Sequence, residues 1–156
     1  MIYLTKYMRR RPGFTIIEAV IVIILLGILS AITIPAIMKA LSAFQAASAA
    51  QKLANDLRYD KQTTKRTLQE YPVTFDGTAG TYSIPINDPM GPGEISGPSN
   101  GCKTGWTGQL AFDIGGTPKA NGSVMTSDLM IVVTSPDGSM SKQVLVAAYS
   151  GNIGVQ

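Results

Sequence analysis

Few residues in this chain can do chemistry, and one of them stands where a charge is expensive. The sequence contains no histidine and a single cysteine, Cys102. Without histidine there is no Ser-His-Asp or Cys-His nucleophile system and no His-containing zinc site. A lone thiol forms no intrachain disulfide, so packing alone must hold the fold. The costly group is Glu18, a carboxylate inside the nearly continuous apolar run FTIIEAVIVIILLGILSAITIPAIM of residues 14–38. A charge in the apolar core of such a segment costs about 2.5–3.5 kcal/mol on insertion scales, so Glu18 asks for a partner.

The other chemical signals are weak. Gly115-Gly116 with nearby Lys119 is no P-loop, since no GK[ST] follows. Asn121-Gly122-Ser123 fits a glycosylation sequon, but Asn-Gly is first a turn signal. Arg9, Arg10 and Arg11 could begin a twin-arginine signal, yet Pro12 follows and the apolar run is very hydrophobic. Lys52, Arg58, Lys61, Lys65 and Arg66 form a basic stretch that reads as a solvated helical face or as a complement to a helix C-terminal dipole. Trp106, beside Gly105 and Gly108, reads as a loop anchor on the core, with a neighbour contact as the alternative.

These groups must be positioned by elements of two kinds. Residues 14–38 are long enough to span a bilayer as a helix, which needs about 20 apolar residues. Lys6, Arg9, Arg10 and Arg11 precede the run and only Lys39 follows closely, so the positive-inside rule puts the N-terminus in the cytoplasm. A secretory signal peptide is disfavoured, because the surroundings of Leu29, Ser30 and Ala31 lack a small-residue cleavage site. A plain signal anchor would leave Glu18 unexplained.

Residues 39–70 are rich in Ala, Leu, Gln, Lys and Arg, without Gly or Pro, and should continue the helix. Leu41, Phe44 and Ala47, then Ala50, Leu53 and Leu57, recur at helical spacing and are expected to pack on the head. Pro72 marks the end, and Pro35 predicts a kink or local opening. After Pro72 the pattern changes to strands. Residues 73–75 and 81–86 flank a hairpin turn, and residues 110–114, 129–134 and 143–149 read as further strands. Residues 87–105 should be an irregular loop, and residues 115–122 a turn. The expected fold is α+β, with a long N-terminal helix packed on a small, sandwich-like antiparallel head of five to seven strands.

The formal charge of +3 comes from the leader. Without residues 1–13 the chain has nine basic and ten acidic residues. From Tyr71 onward, Lys103, Lys119 and Lys142 face six carboxylates, a formal −3. The head is therefore acidic, which disfavours nucleic acid as its ligand.

At residues 9–18 the chain reads RRRPGFTIIE, followed by the apolar run and Pro35. This resembles the prepilin signature shared by type IV pilins and type II secretion pseudopilins. The resemblance implies cleavage between Gly13 and Phe14 by a membrane prepilin peptidase, with N-methylation of the new Phe14 amine. Pro12 and Gly13 disfavour helix at that bond, and the cut would remove the four leader cations. Ile16-Ile17 replaces the commoner Leu-Ile, and the leader is long, with Met1 and Met8 as alternative starts. The later segments GQLAFDIGG and YSGNIGV resemble the H-type minor pseudopilins, the GspH/FimT-like group. The single Cys102 departs from classical pilins, whose C-terminal region is usually disulfide-stapled. Asn87-Asp88-Pro89-Met90-Gly91 is faintly similar to the calcium loop of major pseudopilins. Only Asp88 and Glu94 are acidic there, against six to eight oxygen ligands for calcium, so a surface loop is favoured.

The resemblance divides the chain into a leader (1–13), a membrane and assembly helix (14–38), a helical continuation (39–70) and a periplasmic head (71–156). It implies a non-enzymatic filament subunit without cofactor or metal. Its expected partners are the prepilin peptidase, other pilins or pseudopilins, an inner-membrane platform protein, an assembly ATPase, and membrane lipid before assembly. Its expected location is the bacterial inner membrane, then a pilus or pseudopilus. The rival readings are a DNA-capturing minor pilin, a major pilin or pseudopilin, and a membrane-anchored enzyme, for which no paired-acid motif is readable.

Overall fold

The computed structural model describes residues 13–88, 91–98 and 100–156. The basic leader with Pro12, and Pro89-Met90 of the calcium-loop comparison, lie outside the described residues. One helix, α1 (Ile16–Thr67), precedes ten short strands. The chain divides into two compact units, Met1–Met38 and Lys39–Gln156.

Within the first unit the helix carries no buried residue, and its large apolar side chains are exposed throughout. It is long and apolar enough to cross a membrane. Its hydroxyls are satisfied locally: Ser30 Oγ donates to the Leu26 carbonyl at 2.7 Å and Thr33 Oγ1 to that of Leu29 at 2.8 Å. Such internal pairing lets a hydroxyl sit in an apolar medium without an orphaned donor. The helix runs through Pro35 without interruption.

In the second unit the helix buries Ser42, Ala46, Ala49, Ala50, Leu53, Ala54 and Leu57, then Asp60, Thr63 and Thr64. Leu41 and Phe44, expected on this face, are instead 50% and 70% exposed. The inward stripe at this end is made of small residues, which permit close approach, and the bulky pair projects away from the head. Thr67 is the last helical residue, three before the expected end at Glu70. Leu68 stops the helix by turning left-handed (φ 57°) while its N–H donates to the Thr64 carbonyl at 2.9 Å. That is the αL form of helix termination, here without the usual glycine.

The strands are β1 (Val73–Asp76), β2 (Thr81–Asp88), β3 (Gly91–Gly97), β4 (Lys103–Thr104), β5 (Gly108–Phe112), β6 (Pro118–Ala120), β7 (Ser123–Val124), β8 (Leu129–Thr134), β9 (Ser141–Val146) and β10 (Ile153–Val155). They form a six-stranded sheet, β3-β2-β1-β5-β6-β7, and a four-stranded sheet, β10-β9-β8-β4. All pairings are antiparallel. Leu53 and Leu57 of the helix join Phe75, Tyr82, Leu110 and Phe112 of one sheet and Ile131, Val133, Val144 and Val146 of the other in one core. The expected class, a long helix on an antiparallel head, is the observed one.

Details differ from expectation. Residues 87–105 are not an irregular loop: β3 pairs with β2 over seven positions and β4 pairs with β8. β3 is an edge strand, where prolines and glycines do not break a ladder that needs only one side. The stretch 115–122 holds β6 and a tight reversal into β7. Asn121 and Gly122 both have positive φ, 49° and 83°, as a two-residue type I′ hairpin requires. β9 ends at Val146, because residues 147–151 turn back, with Tyr149 and Gly151 at positive φ, to deliver β10. The described residues form ten strands, above the expected five to seven.

Candidate functional site

The first described residues form a short non-helical lead into α1. Gly13, Phe14 and Thr15 precede the first helical residue, Ile16. A methyl group placed on Gly13 would meet nothing within 4 Å, so the chain is open there. Phe14 is 73% exposed. Thr15 caps the helix: its Oγ1 accepts the Glu18 N–H at 3.3 Å, and its carbonyl accepts the Ala19 N–H at 3.2 Å. Thr15-Ile16-Ile17-Glu18 has the spacing of a capping box, in which a threonine and a glutamate three residues later serve the first unpaired N–H groups. Glu18 lies in the first turn, where the helix dipole favours a negative charge. The role of Thr15 was missed in the sequence, although its spacing to Glu18 was a sufficient signal. Gly13, Phe14 and Glu18 thus share one exposed helix start, whereas Pro35 lies some five turns further along.

In the head, the basic stretch of the helix does more than solvate a face. Lys52 Nζ pairs with Asp56 Oδ2 at 3.0 Å and donates to the Ser96 carbonyl at 2.8 Å. The Tyr82 hydroxyl donates to the same Asp56 oxygen at 2.6 Å. Burial, then the Asp56 bond, push the Tyr82 hydroxyl well above its usual range. Arg58 Nη2 donates to the Ile153 carbonyl at 2.6 Å, and Lys61 Nζ to those of Ser150 and Gly151 at 2.8 and 2.9 Å. These cations therefore pin β3 and the C-terminal segment to the helix.

Trp106 is a core anchor, as expected, with its ring edge-on to Phe75 at a centroid distance of 5.0 Å. Cys102 is buried, and burial pushes its thiol up, away from the reactive thiolate. Asp60 was not singled out in the sequence. It is fully buried, and neither of its carboxylate oxygens nor Thr64 Oγ1 has a hydrogen-bond partner among the described residues. Burial pushes the Asp60 carboxyl up to about 7. Among the described residues no cluster of three His, Cys, Asp or Glu side chains could hold a metal ion.

Residues 8–34 match the family model of the prokaryotic N-terminal methylation motif. No curated protein matches the chain. Two solved structures are similar, both of the type IV minor pilin FimU of Pseudomonas aeruginosa, in different crystal forms. One is 15% identical with a TM-score of 0.52, covering 71% of this chain and 87% of that one. The other is 14% identical with a TM-score of 0.51, covering 70% and 91%. At this identity the likeness is one of fold. The chain carries a prepilin-type methylation motif at the start of a pilin-like fold.

Proposed function

We propose that this chain is a minor pilin or minor pseudopilin, cut between Gly13 and Phe14 by a prepilin peptidase, methylated at Phe14 and assembled through its N-terminal helix. The observation that carries the reading is the helix start: an open, non-helical Gly13-Phe14 segment directly before an apolar helix capped by Thr15, with Glu18 in its first turn. A peptidase needs extended backbone at the scissile bond, and a cap ends the helix just beyond it. In this reading residues 1–13 are the leader, residues 14–38 the membrane and assembly segment, residues 39–70 its helical continuation, and residues 71–156 the periplasmic head. The N-terminus is cytoplasmic. A platform protein and an assembly ATPase insert the subunit into a pilus or a secretion pseudopilus, beside other pilin-like subunits. DNA capture is disfavoured by the acidic excess after residue 71.

Co-expression with a prepilin peptidase tests the proposal. Intact-mass measurement is expected to find a chain beginning at Phe14, about 14 Da heavier where the amine is methylated. A chain that keeps Gly13, or that begins near Ala31, would remove the claim.

A further inference from the structure

The last turns of α1 carry a row of cations. Arg58, Lys61 and Lys65 recur at three- and four-residue spacing on one helical face. With Gln62, Gly151 and Asn152 they line a cleft of about 340 Å³. Among the described residues none of the three forms an ion pair with a carboxylate. Arg58 and Lys61 spend hydrogen bonds on the carbonyls of Ile153, Ser150 and Gly151, and Lys65 is exposed. Lys61 and Lys65 are like charges one turn apart, an arrangement that costs stability unless an anion offsets it. Burial, then Lys65, make the Lys61 ammonium easier to deprotonate than usual.

Two left-handed glycines hold this pair in place. At Gly116 (φ 87°) a Cβ would lie 2.5 Å from Lys65 Cε and 2.8 Å from Lys61 Cε. At Gly151 (φ 59°) it would lie 2.5 Å from the Gly116 oxygen and 3.1 Å from Lys61 Nζ. The two turns therefore close directly on the lysine stems. Cations ordered in this way have already lost much of the side-chain freedom that binding would otherwise cost.

We propose that this cleft receives the carboxylates of an acidic segment on a neighbouring protein subunit, with Lys61 and Lys65 as the paired cations and Arg58 at the flank. A polyphosphate backbone suits the site less well. The rest of the head is acidic, with six carboxylates against three lysines from residue 71 onward, and would repel a long polyanion. A cleft of about 340 Å³ lined by three cations matches one or two carboxylate side chains in size. The inference rests on the reading above that the chain assembles beside other subunits. It concerns the head alone and stands whether or not Gly13 is the cleavage site.

The test uses the full chain in detergent micelles. The probes are a hexaglutamate peptide, a hexaglutamine peptide, inorganic phosphate and a 12-nucleotide single-stranded DNA, each titrated at two salt concentrations. Hexaglutamate is expected to bind, to weaken with salt and to outbind the other three. Lys65 makes no hydrogen bond among the described residues and repels Lys61, so Lys65→Gln should hold or slightly raise the melting temperature while lowering hexaglutamate affinity roughly fivefold. Lys65→Arg should keep it, and Lys142→Gln, on β9, should not change it. Equal hexaglutamate affinity in the Lys65→Gln and Lys142→Gln variants would overturn the proposal. So would stronger binding of the oligonucleotide or of phosphate, or no binding of hexaglutamate at all.

Discussion

Asp60 sets the sign of the head's pH dependence between mild acid and neutrality. In the unfolded chain its carboxyl titrates at the ordinary value of 3.8, whereas burial in the fold raises it to about 7. Between those values the folded protein holds a proton that the unfolded chain gives up. The stabilisation is therefore complete below about pH 4 and is lost as pH rises through about 7. The loss has an upper bound of about 4 kcal/mol, since one pKa unit corresponds to about 1.4 kcal/mol. The full chain in micelles should melt at a lower temperature at pH 7.5 than at pH 5. Asp60→Asn, neutral at every pH and nearly isosteric, should flatten most of that slope. Asp113 and Asp137 act in the opposite sense: hydrogen bonds hold both carboxyls below their usual range, so their contribution is lost only toward stronger acid. A melt that does not respond to pH in this window, or an equal slope in Asp60→Asn, would show that Asp60 finds a partner in solution. Asp60 was not legible in the sequence, because an aspartate in a helix of mixed composition looks solvated until the sheets close over it. Glu18 was legible for the opposite reason: its neighbours along the chain are apolar on both sides.

Helix and strand boundaries are decided by local backbone conformations, and these divide what the sequence reveals from what it hides. Leu68 ends α1 in a left-handed conformation that a side chain with a Cβ resists, and its side chain is 69% exposed. Leu68→Gly should therefore remove strain and little packing. A net gain of about 0.5–1 kcal/mol is expected after the extra freedom of glycine in the unfolded chain is counted. A higher melting temperature with unchanged helix content would bear this out, and a lower one would show that the Leu68 side chain packs more than its exposure implies. At the other end, Thr15→Ala removes the oxygen that accepts the Glu18 N–H. It should fray the first turn at a cost of about 1 kcal/mol, visible as faster amide exchange over residues 16–19. Strands that alternate strictly were readable: β8 spans the expected residues 129–134, and its burial alternates at Ile131 and Val133. The β1–β2 turn was readable too, because Asp76 Oδ1 accepts the Thr78 and Ala79 N–H groups and Gly80 takes the positive φ. β3 was hidden, because its GPGEISG sequence carries loop residues and owes its extended form to seven cross-strand partners on β2. β10 was hidden by the turn before it, whose positive φ falls on Tyr149 as well as Gly151.

At the scale of the whole molecule, the two compact units answer different physical demands. Lys39–Gln156 has a core of its own, whereas the described part of Met1–Met38 buries no side chain and leaves its large apolar side chains exposed. Under the processing and assembly proposed above, changes at the helix start should separate assembly from folding, and Glu18 is the residue on which to see it. Once Gly13 is removed, Phe14 would carry a free amine with an ordinary pKa of about 8, positive at neutral pH. The helix dipole already favours a carboxylate at Glu18, but it offsets only part of the cost of holding it in an apolar setting. The Phe14 amine of an adjoining subunit would neutralise it, and Glu18 would neutralise that amine in return. Such a pair fixes the register of one helix against the next. Loss of one member strands the other charge, at a cost of about 3–5 kcal/mol in a buried site. Glu18→Gln keeps the shape and removes the charge, and Glu18→Ala removes both. Each is expected to leave cleavage after Gly13 and the melting of the head unchanged, while lowering incorporation into filaments by at least tenfold. A processing gel, a thermal melt and cross-linking of assembled filaments measure the three separately. Loss of cleavage would place Glu18 in peptidase recognition instead, and normal incorporation of both variants would show that the register is set elsewhere along the helix.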